Sequence, residues 1–191
     1  AITLARPDAN AKTGSFTCAA GTRQVLSSEF PSSLRLLDVT RNLATNSGYK
    51  VIRLVARSVL DDQRPAWHAE TGTTAIQHFT FDPRQPKEFF VYPPATTAAE
   101  IEVVYTDSPG ATALTETQLD PAGSDTTVIL LDDIYMSPMI DWILYRAYSK
   151  DAEYGANEQR AQAAYGAFNA ALATKNQVDS AVSPSNMSSV T

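Results

Sequence analysis

The chain carries two histidines, His68 and His78, and these are its first candidates for chemistry. With Asp61, Asp62 or Glu70 they could furnish a metal or acid–base site, because neutral imidazole and carboxylate oxygen bind divalent metals and exchange protons. Neither histidine stands in an H-x-H or H-E-x-x-H spacing, so both are expected to be hydrogen-bonded structural residues. Asp132 and Asp133 form a carboxylate pair. Acid–base work needs two carboxyls that face one substrate with separated pKa values, whereas a helix start alone explains acids at this point through its unpaired N–H groups. Ser58 and Ser137 read as helix caps, and no G-x-S-x-G surrounds either. Cys18, the single cysteine, reads as a small strand residue and can form no internal disulfide. No phosphate-cradling glycine loop or dinucleotide fingerprint occurs. No catalytic, cofactor-binding or metal-ligating residue is assigned, no cofactor is expected, and the chain is not expected to be an enzyme.

The element that would position such groups is the stretch Leu131 to Leu172, which reads as one long helix. Tyr154, Ala161, Tyr165, Phe168 and Leu172 recur at helical spacings and make one apolar stripe. Met139, Ile140, Trp142, Ile143, Leu144, Tyr145, Ala147 and Tyr148 leave almost no polar face apart from Asp141 and Arg146. A helix that is apolar nearly all round is expected to be covered on more than one side, by its own domain or by a neighbouring subunit. Two starts compete. Asp132 or Asp133 as cap would put Pro138 inside the helix; Ser137 as cap, the favoured start, puts Pro138 at the first helical position, with a separate short turn over Asp133 to Met136. Gly155 and Gly166 either tolerate exposure or admit a close-packed backbone.

Upstream, Pro7 to Gly14 reads as a loop and "SFTCAAGTRQVL" as a hairpin turning near Gly21. "SLRLLDVTRNL" is a strand, and Asn46 and Gly48 supply a turn. "YKVIRLVARS" alternates Ile52, Leu54 and Ala56 against Val51, Arg53 and Val55, as for a strand on a core. Ser58 caps a helical turn ending before Pro65, and a loop carries Trp67 and His68. "AIQHFTF" and "EFFVYPP" are strands joined by a turn at Asp82 and Pro83, and "EIEVVYTD" is the last clear strand. Phe79, Phe81, Phe89, Phe90, Val91 and Tyr92 offer apolar surface to both faces of the sheet, so something is expected to cover the outer face; an aromatic sugar- or base-binding platform is the alternative use. Ser108 to Asp125 is a long, little-structured connection, and the polar tail after Lys175 is expected to be extended or disordered.

At 191 residues with only 19% charged residues, the chain can bury one full core, and no apolar run reaches a membrane span. A net charge of −6 argues against a general phosphate-binding surface. The opening "AITLARPDAN" lacks signal-peptide layout and reads like the end of an amphipathic helix, so the chain is expected to begin inside a longer protein or inside a helix whose first turns are absent.

The blocks "LARPDANAKTGSFTCAAGTRQVL", "LRLLDVTRN", "IRLVARSVLDDQRPAWHAET", "HFTFDPRQPKEFFVYPP" and "ILLDDIYMSPMIDWILYRAYSKDAEYGANEQRAQAAYGAF" resemble successive blocks of the head-to-tail adaptor, or connector, proteins of short-tailed bacteriophages. The likeness runs from Leu4 to about Leu172, and "ILYRAYSKDAEY" is its most specific part. It implies N-terminal helices packed against a long C-terminal helix beside a β-rich part. It also implies a twelve-fold ring beneath the portal that docks the tail or nozzle around the DNA channel. The chain departs from that pattern in early helices reduced to "AITLARP" and in Pro138 at the helix start.

Together these readings give an α+β fold: an antiparallel β-rich module, meander or sandwich-like, plus a helical part dominated by one long C-terminal helix. The expected divisions are 1–14, a helix remnant and loop; 15–106, the β module; 107–130, a connection with a short strand; 131–174, the long helix; and 175–191, the tail. The resemblance implies a virion protein at the head-to-tail junction, assembled in the host cytoplasm and forming a homo-oligomeric ring. Its implied partners are the portal and tail or nozzle proteins and nearby DNA, with no membrane. A β-rich glycan- or protein-binding module is the alternative, and a hydrolase without a sequence signature the third reading.

Overall fold

The computed structural model describes residues 2, 6, 9–45, 48–108, 131–150 and 155–181. The chain divides into two compact units, Pro7–Leu130 and Ala1–Arg6 with Leu131–Thr191.

Among its described residues the first unit holds seven strands: β1 (Ala11–Thr17), β2 (Gly21–Val25), β3 (Ser33–Asn42), β4 (Arg53–Leu54), β5 (His78–Phe81), β6 (Glu88–Ala95) and β7 (Glu100–Asp107). They form two sheets, ordered β1-β7-β3 and β2-β6-β5-β4. Pairing is antiparallel except between β4 and β5. Of the two arrangements expected for the β module, the sheets take the sandwich. Phe16, Leu36, Val39, Ile101 and Val103 of the first sheet share one core with Phe79, Phe89 and Val91 of the second. Alternation along β6 and β7 produces this: Phe89 and Val91, and Ile101, Val103 and Tyr105, all point inward at period two.

The hairpin expected at Gly21 does not form, because β1 pairs with β7 and β2 with β6. The chain instead turns a corner from one sheet to the other. Gly21 takes φ +104°, which a Cβ would resist. The buried Gln24 amide closes the corner, donating to Ala19 O at 2.9 Å and Gly21 O at 3.1 Å and accepting from Ala19 N at 2.8 Å. β1 begins at Ala11, inside the stretch read as a loop.

On β3 the buried positions are Ser33, Leu36, Val39 and Asn42, a spacing of three rather than two. Three register shifts against β7 each insert an extra residue, so its ten residues run beside seven, Ile101 to Asp107. The strand expected over "YKVIRLVARS" shrinks to β4: Ile52 is buried, while Val51 and Leu54 are exposed. Tyr49 sits at φ +54°, a left-handed conformation uncommon outside glycine, in the turn that precedes β4.

The expected cover for the outer face of the second sheet is a flap. Helix α1 (Arg57–Gln63) starts after Ala56, so Ser58 lies inside it and does not cap it. A 3-10 turn follows at Trp67–Ala69. Trp67 is fully buried and packs with Leu60 and Tyr92, with Val55 and Phe90 alongside. The β5–β6 hairpin forms as expected: Asp82 accepts from Arg84 N at 3.0 Å and Gln85 N donates to Asp82 O at 2.9 Å.

In the second unit the stretch expected to be a single helix is a 3-10 turn, Asp133–Tyr135, followed by α2 (Met136–Lys150) and α3 (Gly155–Ala181). α3 is the long helix that dominates this part. That α2 and α3 lie side by side follows from Trp142 and Phe168, whose ring centroids are 5.1 Å apart. In one continuous helix their 26-residue separation would place them about 39 Å apart. The separate short turn expected ahead of the helix is present and is capped by Asp132, accepting from Ile134 N at 3.1 Å, while Ser137 lies inside α2 instead of capping it. Pro138 then falls in the first turn of α2, where missing N–H groups cost little. α3 continues past Lys175 to Ala181, into the stretch read as tail; "NQVDSA" holds no breaker, and Pro184 is the next. Arg6 N donates to Ile2 O at 2.7 Å, the helical pattern expected of the opening. The connection over 109–130, Asn46, Tyr154 and residues 182–191 lie outside the described residues.

Candidate assembly surfaces

At about 100° per residue, α2 presents two opposite apolar faces. One carries Pro138, Trp142 and Tyr145. Trp142 meets Phe168, and Tyr145 meets Tyr165 at 5.0 Å, while Ala161, Phe168 and Leu172 of α3 are buried as the apolar stripe requires. Tyr165 itself is 45% exposed. The second face carries Met136, Ile140, Ile143 and Leu144, with Ile134 just upstream. All five are exposed, Ile143 by 60%. Of the cover expected on more than one side, the described residues supply the α3 side. Gly155 and Gly166 have no neighbour within reach of an added Cβ, so neither marks close packing.

A second apolar surface lies at the edge of the β sandwich. Tyr49, Val51 and Leu54 are 56%, 69% and 65% exposed around β4. Sequence reading placed Leu54 on the core-facing side of a strand, with Val51 on the opposite, mixed side. The signal against it was the Gly48–Tyr49 turn, which feeds the chain into the sheet edge.

Charges of both signs border the α2 face: Asp133 and Asp141, and also the exposed Arg146 and Lys150. Asp133, Asp141, Lys50 and Arg53 stand near the two apolar surfaces, the last two beside β4. None of these four has an ion pair among the described residues. Several other cations are paired. Arg41 pairs with Glu102 at 2.9 Å and Arg23 with Glu88 at 2.7 Å, in each case holding the carboxyl below its ordinary range chiefly by hydrogen bonding.

The residues singled out for chemistry are dispersed. His68 Nδ1 lies 2.7 Å from Thr22 Oγ1 and its ring stacks on Trp67. His78 stacks on Tyr92 from β5. Asp61 accepts from Trp67 Nε1 at 2.9 Å, and Glu70 accepts from Tyr92 Oη at 3.2 Å and pairs with Arg64 at 3.3 Å. These contacts hold the flap down. Among the described residues no cluster of His, Cys, Asp and Glu could hold a metal. Cys18 is buried, which pushes its thiol up to about 12 and keeps it from being a thiolate at neutral pH. The aromatic platform is not open either: Phe79, Phe89 and Tyr92 are buried, and Trp67 and Arg57 lie against Phe90. No helix among the described residues is long and apolar enough to cross a membrane.

Among the described residues no reaction centre is assembled, and two apolar surfaces stand bare. The sequence profile of the SU10 adaptor protein family matches residues 1–188. The chain belongs to that family. The adaptor family comprises head-to-tail connector proteins of short-tailed phages. This makes the chain a structural protein of the virion at the head-to-tail junction, bridging portal and tail components without catalysis. No curated protein matches the chain. For an adaptor, the surplus apolar residues of α2 are the part of the fold that packing within one copy leaves unexplained.

Proposed function

We propose that the adaptor assembles in the host cytoplasm as a closed ring of twelve copies between the portal and the tail nozzle, with DNA passing through its centre. The open α2 face carries this reading. Five large apolar residues left exposed on one short stretch exceed what a solvated helix face needs, and an adaptor's partners are the natural cover. A ring repeats one modest contact around an axis, so individually weak contacts sum to a rigid collar. The net charge of −6 suits a channel through which DNA slides without being gripped.

The test is the native mass of the purified chain, alone and mixed with portal rings, followed by low-resolution imaging. Closed rings coaxial with the portal and carrying twelve copies are expected. A chain that stays monomeric beside the portal, or closes with another copy number, would count against the ring as stated.

A further inference from the structure

We propose that a recess beside β4 takes a carboxylate side chain from an acidic, partly apolar segment of a partner protein. This goes beyond the ring reading and does not depend on copy number. The recess, of about 290 Å³, is lined by Lys50, Val51 and Arg53 on the β4 side and by Gln77 and His78 on the β5 side. Strand register brings the two sides together: Arg53 is the parallel partner of His78, and Arg53 N donates to Gln77 O at 3.1 Å.

Every polar side chain of this lining can donate a hydrogen bond, and no carboxylate is among them. Lys50 and Arg53 have no ion pair among the described residues. His78 Nδ1 is buried without a partner, which leaves the hydrogen bonding of that ring to Nε2. The acids on adjoining elements are already engaged. Glu102 of β7 accepts from Thr40 and Arg41, and Glu70, in a depression that shares Gln77 with the recess, pairs with Arg64 and accepts from Tyr92 Oη. The two cations are therefore left for an anion that the described residues do not supply.

The apolar residues around them decide which anion. An inorganic ion would use the charges alone, yet Val51 lines the recess, and Tyr49 and Leu54 stand exposed beside the cations in the chain. Two cations among apolar side chains make no track for a phosphate backbone, and the whole chain carries −6. An acidic residue between apolar ones meets both demands, charge inside the recess and apolar cover around it.

The test is fluorescence polarisation with the full chain and an end-capped, labelled peptide of alternating valine and glutamate. It is expected to bind about tenfold more tightly than its valine–glutamine counterpart, which keeps the shape and loses the charge. Lys50→Gln with Arg53→Gln should weaken the glutamate peptide about tenfold and leave thermal melting unchanged, since both side chains are exposed. Val51→Ser should weaken both peptides alike. Equal affinity for the two peptides, full affinity in the double variant, or no binding at all would overturn the proposal. Inorganic phosphate or a DNA duplex displacing the peptide at lower concentration than unlabelled peptide does would make this a phosphate site and refute it. A fall in native mass on adding the peptide would give the surface to a second copy and refute a different partner. None of these outcomes touches the twelve-copy reading, which native mass and imaging of the chain without peptide decide.

Discussion

The side chain of Asn42 takes up both backbone groups of Ile76: its Nδ2 donates to Ile76 O at 2.7 Å and its Oδ1 accepts from Ile76 N at 2.8 Å. Asn42 ends β3 in one sheet and Ile76 lies just before β5 in the other, so one primary amide substitutes for a strand pair and ties the two sheets together. The same Nδ2 also donates to Lys50 O at 2.9 Å. Asn42→Leu fills similar space but strands a buried N–H and C=O. It should cost roughly 2 to 4 kcal/mol in urea denaturation, since each orphaned group costs about 1 to 3. An unchanged midpoint would show that the amide is dispensable.

The flap over the second sheet depends on Trp67. Trp67→Ala removes a fully buried indole and should cost about 3 to 5 kcal/mol, opening the segment around Arg57 and Arg64 to trypsin. Trp67→Phe keeps most of the packing and loses the bond to Asp61, costing about 1 kcal/mol. Equal trypsin resistance in both variants and the parent would contradict the assignment.

In the helical unit, Phe168 is 4% exposed and Trp142 only partly buried. Phe168→Ala should therefore cost more, about 3 to 5 kcal/mol, than Trp142→Ala, about 2 kcal/mol from area and ring contact. Thermal melts followed by far-ultraviolet circular dichroism rank the two; the reverse order would mean that α2 is held by something other than α3.

On the opposite face of α2, Ile140→Asp changes an exposed residue. Its melting should stay within about 0.5 kcal/mol of the parent, while co-sedimentation with assembled copies falls sharply. Loss of folding, or normal assembly, would each defeat the separation of the two faces.

Acid sensitivity should run through Asp107. Burial opposes ionisation of this carboxyl, but hydrogen bonds from Lys12, at 2.6 Å, and Ser32, the Lys12 charge and the Ser108 N–H outweigh it and hold its pKa below the ordinary value. A depressed folded-state pKa contributes stability that is present above the ordinary carboxylate range, about pH 4, and is lost as pH falls through the folded value. Asp107→Asn should flatten the acid limb of stability against pH and leave the slope above pH 5 unchanged. A parallel acid limb would place the sensitivity in other carboxyls.

Much of this was legible in the residues. Inward alternation on β6 and β7, the Asp82 turn and the nearly continuous apolarity of α2 follow from local pattern, and the last of these already implied more apolar surface than one neighbouring helix covers. What was hidden was nonlocal. A residue run cannot show that β1 leaves its neighbour β2 for β7, because a corner and a hairpin both ask for glycine at position 21. The helical period reads the same through the break between α2 and α3, so two antiparallel helices look like one. Val51 and Leu54 are apolar strand formers whose exposure depends on lying at the end of a sheet, which no alternation encodes.

The three extra residues of β3 have a further consequence. Its outer backbone groups are thrown out of step, and Thr40 O and Asn42 N already bond Ile52 N and Lys50 O, so it offers little regular ladder to an incoming strand. On that side of the sandwich the main chain is a poor template for unplanned strand addition, so contacts there have to be made by side chains.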